Sequence, residues 1–208
     1  MDSARRRRLT PDERRAQLLA VGVAFLGDRP LDDLTIEELS ERAGVSRGLV
    51  FHYFGSRQGL HYAVVMTAAG SMIAASQPRD ELAPADRLRD TLGRIVAFVR
   101  EYRGTFFSLV RGVASGDPVV RAAVDDARDV HARRLLAVFA EMGATDTPLL
   151  RVVLRSWVSF AEEMLIELGL DTDAAADDIV DLLVRSARGV VAAVAPVTVS
   201  AGGVDADS

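Results

Sequence analysis

The stretch from Gly44 to Leu60, GVSRGLVFHYFGSRQGL, gathers the side chains best suited to meeting another molecule. Arg47 and Arg57 carry permanent positive charge on planar forks that match a guanine edge or a phosphate. Phe51, Tyr53 and Phe54 offer flat apolar surface, His52 adds a ring nitrogen, and Gly48 lets another backbone come close. That set suits recognition of nucleic acid, and it holds no activated nucleophile. The whole chain lacks cysteine, which excludes disulfides, thiolate catalysis and thiolate metal sites. His52, His61 and His131 are too scattered for a zinc motif, so neither metal nor cofactor is expected. Glu162 and Glu163 with His131 make one acid-base set, but no nucleophile, metal set or glycine-rich phosphate loop accompanies them to define a reaction. A helical enzyme, or a module that binds another protein without reading DNA, stands as the alternative.

Local sequence supplies an element that can hold the arginines and aromatics. Thr35-Ile36-Glu37-Glu38 is a helix-start capping box, Ile36, Leu39 and Ala43 share one face, and Gly44 suits a left-handed stop. Ser46 then caps a short helix reaching Phe54, and Ser56 caps a longer one reaching toward Ser76. Only Gly44, Val45 and Ser46 separate two helices, the length of a helix-turn-helix corner, with Val45 as its plug. On the short helix Val50 and Phe54 lie four apart and face a core, leaving Arg47, Gly48, Phe51 and His52 outward. Arg47 can take a guanine O6/N7 edge and Phe51 a thymine methyl. Tyr53 and Arg57 suit phosphates, as do the backbone N–H groups of the helix starts capped by Thr35 and Ser46. His61 reads as ordinary helix surface.

The rest of the chain is helical too. No period-two runs of β-branched residues occur, so the fold class is all-α. A first helix opens at the capping box Thr10-Pro11-Asp12-Glu13, carries Leu18, Val21 and Phe25 on one face, and ends at Gly27 or Asp28. After a connection from Gln77 to Pro84, helices are expected near 85–102, 105–115, 118–142, 147–169 and 174–195, nine in all. Residues 200–208 read as a disordered tail. The run Arg5 to Arg8 fits either a solvated tail or an arm that contacts DNA. Net charge is −5, yet residues 1–60 hold 10 arginines against 9 acids and the remainder 15 against 21, which leaves a basic face open to the N-terminal third. No apolar run spans a bilayer and no signal peptide is visible, so a cytoplasmic protein is expected.

Thr35 to Leu60, TIEELSERAGVSRGLVFHYFGSRQGL, resembles the DNA-binding signature of the tetracycline-repressor (TetR) family of bacterial regulators. Ser40, Val50, Phe51 and Arg57 depart from its usual alanine, leucine, tyrosine and lysine. Phe51 lacks the hydroxyl that the family often turns toward DNA. The resemblance implies a two-domain helical subunit: a DNA-binding domain over 1–60, joined through a long helix to a ligand-binding and dimerisation domain over 61–199. It further implies a homodimer on a palindromic DNA operator and release by a small-molecule inducer.

Family helices five to eight enclose the inducer, which makes candidates of the aromatic and polar residues there. Phe98, Tyr102, Phe106 and Phe107 cluster across one helix junction, and Trp157, Phe160 and Glu163 lie on the eighth helix. His131 sits within the stripe Val120, Val124, Ala127, Leu135, Val138 and Met142, as either a core histidine or the polar group of a pocket. Their cast suggests an apolar or amphipathic inducer. Apolar stripes on the last two helices, with small Ser186, Ala187 and Gly189, fit either internal packing or a four-helix dimer interface.

Overall fold

The computed structural model describes residues 9–112, 118–169 and 174–194. Arg5 to Arg8, the end of the helix expected to reach residue 115 and the tail from Ser200 lie outside them. Among the described residues the fold is all-α, with nine helices and one 3-10 turn. The N-terminal helices are α1 (Pro11–Phe25), α2 (Ile36–Ala43), α3 (Arg47–Phe54) and α4 (Arg57–Ala75). The remainder are α5 (Pro84–Glu101), α6 (Arg103–Gly112), α7 (Pro118–Glu141), α8 (Pro148–Gly169) and α9 (Ala176–Val194).

The helix starts follow the capping chemistry written in the chain. Thr10 accepts from the Glu13 N–H at 3.2 Å, and Glu13 returns the bond to the Thr10 N–H at 2.8 Å. The second expected box is only half made. Thr35 accepts from the Glu38 N–H at 3.0 Å, but the Glu38 carboxylate takes the Arg42 guanidinium at 2.7 Å one turn on. Gly44 stops α2 at φ 65°, a conformation costly for any residue with a Cβ. Ser46 and Ser56 start α3 and α4 as expected. The 3-10 turn Leu31–Asp33 has no counterpart in the sequence reading.

Three apolar clusters organise the helices. Leu18, Phe25, Leu39, Val50 and Leu60, fully buried, centre the N-terminal one. A larger one joins α5, α7, α8 and α9 around Val99, Leu154 and Leu183. Between them Val65 and Ala68 of α4 meet Leu109 of α6 and Val120 and Val124 of α7. Helix α4 therefore passes through all three: Leu60 and Val64 lie in the N-terminal cluster, Val65 and Ala68 in the middle one, and Met72 packs on the larger one.

His61 corrects the expectation of a surface residue. It is buried, and its Nε2 lies 2.7 Å from the Leu34 carbonyl, because the connection after α1 folds over this face of α4. The first turns of α6 dock onto the end of α1. Thr105 and Ser108 donate to the Val23 and Leu26 carbonyls, and a Cβ at Gly104 would lie 1.9 Å from the Gly27 carbonyl oxygen. Two polar bonds and one absent side chain thus define this joint.

Candidate nucleic-acid interface and ligand cavity

Helix α3 is only eight residues long, too short to persist alone, and is held by the residues it buries. Val50 and Phe54 anchor it, with the Arg15 guanidinium 5.7 Å from the Phe54 ring centroid. Its other side is exposed. Gly48 faces open space, Phe51 is 59% exposed, and the Arg47 side chain reaches out to Glu37 at 3.3 Å. An exposed pair of that kind contributes at most about 1 kcal/mol, so Arg47 can leave Glu37 for a better acceptor. His52 is exposed and meets Tyr53 edge to face at 5.4 Å, while Tyr53 leans on the N-terminal core.

Thr35 and Ser46 each satisfy a backbone N–H of the helix they start. Arg57 is exposed, but one guanidinium N–H donates to the Asp32 carbonyl and ties α4 to the 3-10 turn. The structure therefore brings Arg47, Gly48, Phe51 and His52 to one open face.

Behind this unit lies a cavity of about 60 Å³ walled by α4, α5, α7, α8 and α9. Of the sequence-derived ligand candidates, His131 and Trp157 line it. The others do not. Phe106 is core, Phe98 stacks on Tyr102 at 4.7 Å, and Tyr102, Phe107 and Phe160 are exposed. The cavity runs beside the first half of α5, through Leu88, Leu92 and Ile95, whereas that aromatic cluster occupies the far end of α5 and the start of α6. On α8 the lining acid is Glu162, and Glu163 is exposed. Met72, Arg134 and Leu183 also line the cavity and were not anticipated. Arg134 was legible in principle, standing three residues after His131 on the same helical face.

Each polar group of the cavity has a distinct electrostatic setting. His131 is 8% exposed, and burial, with the Arg134 charge second, lowers its pKa to about 4, which leaves a neutral imidazole near pH 7. Its Nε2 is buried without a hydrogen-bond partner among the described residues. Burial raises the Glu162 pKa against the opposing pull of Arg128, whose guanidinium lies at 2.7 Å. Arg134, its pKa lowered by burial and by Arg94, donates to the Ile73 carbonyl at 2.9 Å, to Ser76 Oγ at 3.0 Å and to Gln77 Oε1 at 2.6 Å. Arg94 holds the Ala75 and Gln77 carbonyls at 2.7 and 2.8 Å. The end of α4 and the two residues after it are thus capped by arginines from two other helices.

A helix-turn-helix unit carried on a separate helical domain defines a class of DNA-binding folds. Within it, residues 18–64 match the family of bacterial regulatory proteins, tetR family, and residues 84–190 match the tetracyclin repressor-like C-terminal domain. The chain belongs to the TetR family.

Among curated relatives, the HTH-type transcriptional regulator BetI 1 of Chromohalobacter salexigens is 32% identical over 79 residues, which are 36% of this chain and 39% of that protein. BetI of Burkholderia thailandensis is 33% identical over 84 residues, 40% of this chain and 43% of that protein. The chain thus spans about two fifths of the length of the curated relatives it matches. A tetR-family transcriptional regulator from Streptomyces coelicolor superposes with a TM-score of 0.76 at 28% identity, over 89% of this chain and 83% of its own. A TetR-like regulator from a Rhodococcus species shares the fold, with a TM-score of 0.71 at 22% identity over 89% and 99%.

Proposed function

We propose that this protein is a ligand-responsive transcriptional repressor that binds a palindromic DNA operator as a homodimer. The observation that carries the reading is the open face of α3, where Arg47, Gly48, Phe51 and His52 stand away from a braced core. Arg47 reads a guanine edge, Phe51 packs on a thymine methyl, and Tyr53, Arg57 and the capped starts of α2 and α3 face phosphates. Because Arg57 also holds Asp32, it positions the 3-10 turn while it faces the phosphate. Two copies of α3 enter successive major grooves roughly 34–36 Å apart.

The second copy docks against the exposed apolar side of α8, where Leu149, Val152 and Phe160 are 58%, 63% and 44% exposed. Support from α9 is narrower than its small residues suggested. Ala187 is fully buried within the subunit and Ser186 accepts from Trp157 Nε1 at 3.0 Å, which leaves Gly189 facing open space. The inducer, an apolar or amphipathic small molecule, enters the cavity beside α4. Among the described residues no helix is long and apolar enough to cross a membrane, consistent with a regulator that works in the cytoplasm. The test is titration of DNA from the protein's own upstream region against random competitor. Competitor-resistant binding by a dimer is expected, and binding no tighter than to random DNA would refute the reading.

A further inference from the structure

The cavity beside α4 has more chemistry than an apolar hole. Leu88, Leu92, Trp157 and Leu183 make its walls apolar, while its ionisable groups sit on α7 and α8. Glu162 is charge-compensated by Arg128 at 2.7 Å, which leaves Arg134 to set the sign of the local field. One helical turn before Arg134, His131 Nε2 is buried with no hydrogen-bond partner among the described residues. Among the described residues Arg134 itself serves only neutral acceptors, the Ile73 and Ser76 carbonyls, Ser76 Oγ and Gln77 Oε1. Those bonds are charge-assisted from the donor side alone, whereas a carboxylate adds a full opposite charge and two oxygens that match the guanidinium fork. An entering carboxylate therefore competes well for this guanidinium.

We propose that the cavity takes an amphipathic organic anion, its apolar body against Leu88, Leu92 and Trp157 and its carboxylate between His131 Nε2 and Arg134, drawing Arg134 off the last turn of α4. The inference rests on the reading of the chain as a ligand-responsive regulator, and names the ligand class and the coupling step. Arg94 keeps its hold on the Ala75 and Gln77 carbonyls, so the end of α4 loosens without unravelling. Because α4 continues through the middle cluster into the core that braces α3, the loosened turn is mechanically linked to the DNA-facing helix.

Trp157 is the sole tryptophan and lines the cavity, so the full-length protein reports occupancy by its own fluorescence. Octanoate, octanol and octylammonium share one alkyl body and differ in the head. Octanoate should change the emission saturably and bind about ten-fold more tightly than octanol, with octylammonium weakest. His131→Leu and Arg134→Gln should each remove most of that preference, read within each variant as the ratio of octanoate to octanol affinity, with saturable octanol binding reporting an intact pocket. Amide exchange across residues 73–77 should quicken with octanoate and not with octanol.

No saturable change with any probe, equal binding of octanoate and octanol, tighter octylammonium, or an undiminished preference in both variants overturns the anion site. Head-group preference with unchanged exchange overturns the release of α4. DNA binding is followed in parallel on the ligand-free protein. Octanoate selectivity without sequence-specific DNA binding would sink the regulator and leave the anion site standing, and DNA binding without head-group preference would do the reverse.

Discussion

His131 and Arg47 show what single side chains contribute here. The folded-state pKa of His131, about 4, lies below its ordinary 6.5, so between those values the unfolded chain binds more protons than the folded one. Stability from the neutral buried imidazole is complete above pH 6.5 and is lost as pH falls toward 4. About 2 kcal/mol should disappear between pH 7.5 and pH 5, by order of magnitude. Glu162, whose pKa is raised, works in the opposite sense above its ordinary value. Urea midpoints at the two pH values isolate the histidine: the slope should flatten in His131→Leu, and an unchanged slope would place its origin elsewhere. On the open face of α3, Arg47→Ala should cost about 1–3 kcal/mol at a single operator base pair and relax specificity there. Phe51 and Arg47 were legible because α3 is short and its inward pair, Val50 and Phe54, dictates what remains outside. Of the cavity residues, His131 and Trp157 were among the candidates and the rest were not, since which part of an apolar stripe borders a void depends on where five helices leave space.

Helix ends and helix joints carry the interactions that link elements. Caps are encoded within four residues, which is why Thr10, Thr35, Ser46 and Ser56 could be read from the chain. Joints between distant helices are not. The docking of α6 on α1 depends on Gly104 having no side chain against the Gly27 carbonyl, and nothing near Gly104 in sequence signals that neighbour. Gly104→Ala should force the two helices apart and cost about 1–3 kcal/mol, measured by urea unfolding. An unchanged midpoint would mean that the joint adjusts freely. His61 was misplaced for the same reason, although Val65 and Ala68, four and seven residues on, mark a buried face. Between α7 and α8, Arg128→Leu would leave the Glu162 carboxylate buried without its partner at a cost of about 3–5 kcal/mol. Adding Glu162→Gln should recover much of that loss, and no recovery would show that Arg128 acts through packing alone.

At the scale of the molecule, one helix unites the parts. Helix α4 contributes to the core that braces α3, to the middle cluster with α6 and α7, and to the wall of the cavity. The all-helical class and the helix-turn-helix were visible in the spacing of apolar and capping residues, since both are local. The passage of α4 through three cores was not visible, because it is a property of packing over the whole chain. This continuity gives ligand and DNA a shared element, and a coupling of about 1–3 kcal/mol through it would weaken operator binding roughly 5–150-fold. The open face of α3 is expected to read base sequence. This is tested most directly by titrating the full-length protein and Arg47→Ala against DNA from its own upstream region with random DNA as competitor. Competitor-resistant binding is expected of the native chain, with that preference lost in the variant and its residual affinity for random DNA retained. Equal affinity of the native chain for both DNAs, or an unaltered preference in Arg47→Ala, would contradict it.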